Sequence, residues 1–128
     1  MMRIDHIALY ARELEDMRKF FVAHFHATSS EPYHNPKTGL RSYFLTFESG
    51  ARLEIMNRPN VDTKSLPLNH MGLIHAAFSV GSREAVDEMA QRLHMAGYEV
   101  LSGPRVTGDG YYEACIKGPE DLQIEITV

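Results

Sequence analysis

Asp5-His6-Ile7-Ala8-Leu9-Tyr10 decides the predicted fold, because a similar stretch, Ile74-His75-Ala76-Ala77-Phe78-Ser79, follows about 70 residues later. A second pair of similar segments has nearly the same separation: Arg52-Leu53-Glu54-Ile55-Met56 and Gln123-Ile124-Glu125-Ile126-Thr127. Two repeats at one separation indicate that the chain contains two copies of one structural unit. The sequence therefore predicts two related modules.

Each copy has the same order of predicted elements: a strand, a helix and three more strands. In the first copy these are Ile4 to Tyr10, Glu13 to Phe25, Thr28 to Tyr33, Leu40 to Phe47 and Arg52 to Met56. In the second they are Leu73 to Val80, a helix capped by Ser82 and ended by Gly97, Tyr98 to Leu101, Tyr111 to Ile116 and Leu122 to Thr127. The pattern predicts βαβββ twice within a single domain, 1–128: module 1 over 1–57, a linker over 58–71 and module 2 over 72–128.

The composition excludes several classes of protein. Hydrophobic residues make up 44% and charged residues 23% of the chain, as in folded soluble domains and unlike disordered proteins. A net charge of −4 without a run of like charges argues against a nucleic-acid partner. No apolar segment approaches the roughly 18 to 20 residues of a membrane span, and a lone cysteine is typical of a reducing compartment. We therefore expect a cytoplasmic protein without nucleic-acid or membrane partners.

Alternation along the strands places two histidines and two glutamates on comparable faces. Successive side chains of a strand point to opposite sides, so His6 faces away from its apolar neighbours Ile7 and Leu9. Three other residues also face away from apolar neighbours: Glu54, His75 and Glu125. If the four strands belong to one curved sheet, the four side chains point into a common concave space.

These four side chains predict a divalent metal site. A carboxylate on the inner face of a sheet loses solvation worth several kcal/mol, and two such carboxylates repel each other unless a cation lies between them. Imidazole nitrogen and carboxylate oxygen bind divalent metals at roughly 2.0 to 2.2 Å. A single strand histidine is more often a hydrogen-bonded core residue, but the recurrence of His and then Glu in both copies favours the metal. The predicted ligands are His6, Glu54, His75 and Glu125.

In this order and on this repeat, the residues resemble the glyoxalase, bleomycin-resistance and extradiol-dioxygenase group, the vicinal oxygen chelate superfamily. The most specific segments are Asp5 to Ala8, Leu53 to Ile55, Leu73 to Val80 and Gly118 to Glu125. The last segment is similar to a turn of the family that usually reads Asp-Pro-Asp-Gly. This chain has Gly118 at the position of the first Asp and Asp121 at the position of the Gly. The resemblance implies an α+β fold whose two βαβββ modules form an eight-stranded mixed, partly open barrel around one metal. It also implies a homodimer, and leaves open whether each site is shared between chains.

Within that family the ligand set separates activities. The resemblance implies that dioxygenases and fosfomycin-type thiol transferases lack a ligand at the position of Glu54, whereas glyoxalase I (lactoylglutathione lyase) uses the full set. Methylmalonyl-CoA epimerases are similar, often with Gln in the second place. The family thus favours a glyoxalase I-type lyase or isomerase with Zn²⁺ or Ni²⁺, while Fe, Mn and Co stay open as alternatives.

The reaction expected of such a site is proton transfer on a small α-oxo compound or its thiol adduct. The metal stabilises the enediolate that forms when the C–H proton leaves. Glu125 or Glu54 removes and returns that proton, and we favour Glu125 as the base.

Substrate-binding residues are less well defined by the sequence. Glutathione-dependent members of the family commonly have Arg four residues after the first His, where this chain has Tyr10, so the use of glutathione stays open. The expected pocket residues are Tyr10, Arg41, Tyr43, Arg105 and Tyr112. We expect Arg52 to neutralise Glu54, and Cys115 to be a small buried side chain.

Two alternative functions stay open. An iron-dependent dioxygenase would consume oxygen, and a binding module would sequester a drug or metabolite without chemistry. The presence of all four ligand-type residues argues against the binding module, whose relatives in the family generally lack them. Neither the substrate nor the physiological metal follows from the sequence.

Overall fold

The computed structural model describes all residues, 1–128, and divides them into two units, Met1–Lys64 and Ser65–Val128. The division falls inside the segment that the sequence predicts as a linker. Each unit contains one long helix and one mixed β-sheet. This confirms the predicted α+β class, and the second unit has the predicted βαβββ pattern.

The first unit contains one helix and five strands. They are β1 (His6–Tyr10), α1 (Leu14–Phe25), β2 (Thr28–Ser29), β3 (Tyr33–His34), β4 (Arg41–Thr46) and β5 (Arg52–Asn57). Strand β1 pairs in parallel with β5, while β4 pairs antiparallel with β5, β2 and β3. The order across the sheet is β1-β5-β4-β2.

The second unit repeats this topology. Its elements are β6 (Ala76–Ser79), α2 (Arg83–Met95), β7 (Glu99–Val106), β8 (Tyr112–Lys117), a short 3-10 turn (Pro119–Asp121) and β9 (Gln123–Thr127). Strand β6 pairs in parallel with β9, and β8 pairs antiparallel with β9 and β7. The order β6-β9-β8-β7 corresponds strand by strand to that of the first unit.

The structure has nine strands, one more than the eight predicted. The predicted strand Thr28 to Tyr33 is divided into β2 and β3, and its register against β4 shifts by one residue between them. Pro32 lies in the interruption, where its lack of an N–H removes a hydrogen bond of the ladder. The corresponding strand of the second unit, β7, also shifts register but continues as one element.

Each helix packs its apolar stripe against one face of its own sheet. The buried helix residues are Met17, Phe20, Phe21 and Phe25 in α1, and Val86, Met89, Ala90 and Leu93 in α2. The helices cover Ile55 of β5 and Ile126 of β9, which have no exposed surface. Since strand residues alternate, the neighbours of these isoleucines lie on the other face, which the helix does not cover.

Two local predictions about α2 are confirmed. The Ser82 hydroxyl accepts a hydrogen bond from the Ala85 N–H at 3.1 Å, as an N-cap does. Gly97 follows the helix with a φ of 100°, a conformation that glycine adopts without strain. Neither α1 nor α2 has the length and apolar character that a membrane-spanning helix requires.

Candidate functional site

The first unit brings His6 and Glu54 together on the face of its sheet that α1 does not cover. The Nε2 atom of His6 lies 3.9 Å from Oε1 of Glu54. The neighbours of Glu54 in the chain, Leu53 and Ile55, are buried on the helix side. The Glu54 side chain is 19% exposed and that of His6 is 40% exposed, so both are accessible to a ligand. We call this face, and its counterpart in the second unit, the ligand face.

Asp5 holds the His6 ring in a defined orientation. Its Oδ2 atom lies 2.8 Å from Nδ1 of His6 and accepts a second hydrogen bond from Arg52 at 2.7 Å. The hydrogen bonds from His6 and Arg52, with the Arg52 charge, lower the pKa of Asp5 to about 2. A carboxylate at Nδ1 favours the tautomer that carries its proton there. The Nε2 lone pair, on the side of Glu54, is then free to bind a metal.

The contact between Arg52 and Asp5 corrects the expectation that Arg52 neutralises Glu54. The Arg52 guanidinium also stacks on Phe44, with its central carbon 4.4 Å from the ring centroid. Phe44 lies opposite Glu54 in the β4–β5 register and meets the His6 ring edge-on at 5.2 Å. The Arg52 charge is therefore engaged by Asp5 and by the Phe44 ring.

The second unit brings His75 and Glu125 together in the same way. His75 Nε2 lies 3.4 Å from Glu125 Oε2, and the two side chains are 35% and 20% exposed. Strand β6 begins at Ala76, so His75 directly precedes the strand instead of lying within it as predicted. Ile124 and Ile126, on either side of Glu125, are fully buried. Each unit thus presents one His–Glu pair.

Two further reactive groups lie on the ligand face of the second unit. In the β8–β9 register, Cys115 is opposite Glu125, and Glu113 is opposite Thr127. A hydrogen bond with Glu125, partial burial and the charge of Glu125 raise the pKa of Glu113 to about 7. Burial, Glu125 and Glu113 raise the pKa of the Cys115 thiol. Cys115 is only partly buried, and not in the core.

Glu113 is not among the site residues predicted from the sequence, although β8 contains a pattern that could have revealed it. Ala114 and Ile116 are fully buried on the helix side. Their alternation assigns Glu113 and Cys115 to the other face.

Tyr43 and Tyr112 do not lie on the ligand faces, contrary to the sequence prediction. The Tyr43 hydroxyl donates to Glu15 of α1, and the Tyr112 hydroxyl donates to Asp87 of α2. These hydrogen bonds raise the pKa of both phenols. Each tyrosine lies on the helix side of its sheet, because side chains alternate along the strand. Its hydroxyl therefore joins the sheet to the helix that covers it.

The three other predicted pocket residues differ in position. Tyr10 ends β1 on the face of His6, and Arg105 is opposite Glu113 in the β7–β8 register. Arg41 is exposed at the start of β4, and strand alternation places it on the face opposite the ligand face. Tyr10 and Arg105 therefore stay as candidates for contact with a substrate, and Arg41 does not.

The donor chemistry of the two pairs fits a divalent metal. The structure holds no group of three or more His, Cys, Asp or Glu side chains placed close enough together to hold a metal ion. Each pair offers one imidazole nitrogen and one carboxylate, which are donor types that suit Zn²⁺ and Ni²⁺.

The chain is similar to known proteins over nearly its whole length. Residues 3–126 match the family model described as Glyoxalase/Bleomycin resistance protein/Dioxygenase superfamily. The uncharacterized protein YqjT of Bacillus subtilis (strain 168) is 27% identical over 131 residues, which cover 96% of each chain.

Solved structures share the fold. A glyoxylase/bleomycin resistance protein/dioxygenase domain from Frankia sp. EAN1pec has a TM-score of 0.83 at 16% identity, covering 100% of this chain and 98% of that one. The trypanothione-dependent glyoxalase I of Leishmania major has a TM-score of 0.79 at 17% identity, covering 99% of this chain and 86% of that one. At such identities the likeness establishes the fold alone.

Proposed function

The chain belongs to the Glyoxalase/Bleomycin resistance protein/Dioxygenase superfamily, and we propose that it is a metal-dependent lyase or isomerase of the glyoxalase I type. Its substrate is a small α-oxo compound or the thiol adduct of one. The observation that carries this proposal is the recurrence of one His–Glu pair in each unit, His6 with Glu54 and His75 with Glu125. The fold by itself does not decide among the activities of the family.

The two pairs are proposed to hold one divalent metal, Zn²⁺ or Ni²⁺, with Fe, Mn and Co as alternatives. When bound, the ion supplies Lewis-acid stabilisation of the negative charge that develops beside the substrate carbonyl. The histidines serve as fixed ligands. His6 is suited to this role because Asp5 holds its ring by Nδ1.

Glu125 is the proposed base. Its carboxylate removes the proton from the carbon beside the carbonyl and returns it to the neighbouring carbon, so the step is an isomerisation without a net gain or loss of protons. Glu125 is 20% exposed and within reach of a bound molecule. Glu54 is the alternative base, and its neighbour across the β4–β5 pair is Phe44.

The proposed function is tested with hemithioacetals that methylglyoxal forms with glutathione and with other small thiols. The Zn²⁺- or Ni²⁺-loaded protein is expected to convert at least one adduct to its thioester, measured by ultraviolet absorbance. Removal of the metal by a chelator should abolish turnover, and readdition should restore it. A metal-loaded protein that converts none of the adducts would contradict the glyoxalase I assignment. Oxygen uptake with a catechol would favour the dioxygenase alternative.

Asp5→Ala is expected to lower metal affinity about tenfold, because partners that orient a ligating histidine typically contribute 10- to 100-fold. Asp5→Asn retains an acceptor for His6 Nδ1 and should lose less. A competition titration against a chelating dye measures both. Asp16→Ala, which removes a carboxylate from the exposed side of α1, is the matched control and should have no effect. An unchanged affinity in Asp5→Ala would show that Asp5 does not prepare His6 for a metal.

We further propose a cytoplasmic homodimer whose partner is a small molecule, with no nucleic acid or membrane. Strand β1 lies at an edge of its sheet and exposes Ile7 and Tyr10 to 42% and 48%, as an interface strand does in a separated subunit. The net charge of −4 disfavours nucleic acid. The lone cysteine, Cys115, is suited to a reducing compartment.

A further inference from the structure

Two side chains of the first unit restrict the His6 ring, and a third side chain contacts both of them. Nδ1 of His6 lies 2.8 Å from Oδ2 of Asp5, and the Phe44 ring meets the imidazole edge-on at 5.2 Å. The Arg52 guanidinium donates to the same Asp5 oxygen at 2.7 Å, and its central carbon lies 4.4 Å from the Phe44 centroid. We call Asp5, Arg52 and Phe44 the His6 frame.

The position of Arg52 in the frame is set by the backbone. Arg52 is opposite His6 in the parallel pair of β1 and β5, and its N–H donates to the carbonyl oxygen of Asp5 at 3.0 Å. The side chains of Arg52 and Asp5 are 40% and 57% exposed, and an isolated ion pair so exposed would contribute little. Here the planar guanidinium contacts a carboxylate and an aromatic ring together, which the ammonium group of a lysine does not reproduce.

The second unit repeats the histidine and the glutamate without the frame. Strand register places Ile74, Gln123 and Cys115 at the positions that correspond to Asp5, Arg52 and Phe44. An isoleucine side chain accepts no hydrogen bond from a neighbouring ring. The Gln123 amide donates instead to the carbonyl oxygen of Leu68 at 2.8 Å. The ring of His75 therefore lacks the contacts that restrict the ring of His6.

We propose that Arg52 is a positioning residue, which keeps Asp5 and Phe44 against the His6 ring so that Nε2 stays on the side of Glu54 before a metal binds. The inference rests on the proposed function for the metal, but the frame itself is formed by side chains of the chain alone. Partners that orient a ligating histidine typically contribute 10- to 100-fold to metal affinity. A ring that is already ordered also loses less conformational entropy when it binds an ion.

The first test measures ring motion in the metal-free full chain. Carbon-13 relaxation of the imidazole C–H groups reports motion on the picosecond to nanosecond timescale, and the two signals are assigned by their loss in His6→Ala and His75→Ala. We expect an order parameter of about 0.8 for the His6 ring and below about 0.6 for the His75 ring. Arg52→Ala should lower the His6 value to that of His75. Thermal unfolding shows that each variant is folded.

The second test measures Zn²⁺ affinity by competition with a chelating dye. Arg52→Ala is expected to bind Zn²⁺ about tenfold more weakly, and Arg52→Lys, which keeps the charge beside Asp5, about threefold more weakly. In a chain that already carries Asp5→Ala, the further change Arg52→Ala should weaken binding by less than about threefold, because one of its two contacts is already gone. Arg41→Ala is the matched control, since Arg41 is exposed at the start of β4 on the other face, and it should leave ring motion and affinity unchanged.

Three results would overturn the positioning role. One is a His6 ring that stays ordered in Arg52→Ala. Another is wild-type Zn²⁺ affinity in Arg52→Ala, or a wild-type chain that binds no Zn²⁺. The last is a full tenfold loss when Arg52→Ala is added to Asp5→Ala, because Arg52 would then not act through Asp5.

Turnover separates this inference from the proposed function. If the metal-loaded wild type converts no thiol adduct but ring motion and Zn²⁺ affinity change as expected, the glyoxalase I assignment fails and the positioning role stands. If turnover is found but Arg52→Ala retains wild-type ring order and Zn²⁺ affinity, the positioning role fails and the assignment stands.

Discussion

Replacing both His6 and His75 by alanine is expected to lower the affinity for Zn²⁺ by about 10⁴-fold. Zinc sites with four protein ligands bind with about 10 to 16 kcal/mol at neutral pH, or about 3 kcal/mol per ligand, and 1.4 kcal/mol corresponds to a factor of ten. Two remaining carboxylates without nitrogen ligands do not retain the ion through purification. Elemental analysis should therefore find about one equivalent of metal in the wild type and none in the variant.

The matched control removes two imidazoles at a distance from the pairs. His34 in β3 and His94 in α2 are both exposed. The double replacement of these residues by alanine should retain the metal. Full metal content in the His6→Ala/His75→Ala protein would rule out these histidines as the ligands.

The second large effect is expected when each glutamate is replaced by glutamine. The fall in kcat should be much larger for Glu125 than for Glu54. Glutamine offers a metal the same kind of oxygen as glutamate, but it does not accept a proton at neutral pH. Glu125→Gln should therefore keep its metal and lose about 10²- to 10⁴-fold in kcat, the usual contribution of a general base. Glu54→Gln should keep both its metal and most of its turnover.

Metal content and kcat are measured on the same preparations of both variants, so that loss of the ion is not mistaken for loss of the base. A metal-loaded Glu54→Gln protein that loses as much turnover as Glu125→Gln would contradict the separate roles. A Glu125→Gln protein with wild-type kcat would exclude Glu125 as the base.

The pairing of His6 with Glu54 and of His75 with Glu125 could be predicted because two independent patterns agree. The repeat identifies equivalent positions, and alternation around buried residues such as Ile55 and Ile126 shows which face each residue takes. The structure brings each pair together within its unit, at 3.9 and 3.4 Å. Their role as metal ligands stays a prediction.

Tyr43 and Tyr112, which the sequence assigns to the pocket, show where alternation does not predict the face on which a residue lies. In β4 the apolar run Tyr43-Phe44-Leu45 places large side chains on both faces, so the sequence does not reveal which of them faces α1. The answer depends on the hydrogen bond of Tyr43 to Glu15 on the helix. Such a contact between distant segments has no pattern in the sequence.

The contact of Arg52 and the position of Glu113 depend on strand register. Arg52 reaches Asp5 because β1 and β5 pair in parallel, with His6 opposite Arg52. Glu113 lies on the same face as Glu125 because β8 and β9 pair antiparallel, with Cys115 opposite Glu125. A single sequence indicates that such strands exist, but it does not show which residues of two strands lie opposite each other.

The most direct test of the proposed metal centre is its stoichiometry. Equilibrium dialysis of the full chain against Zn²⁺, followed by elemental analysis, measures how many ions each chain retains. One centre formed by both His–Glu pairs predicts about one ion per chain. Two ions per chain, one for each pair, or no ion at any Zn²⁺ concentration that leaves the protein folded, would contradict it.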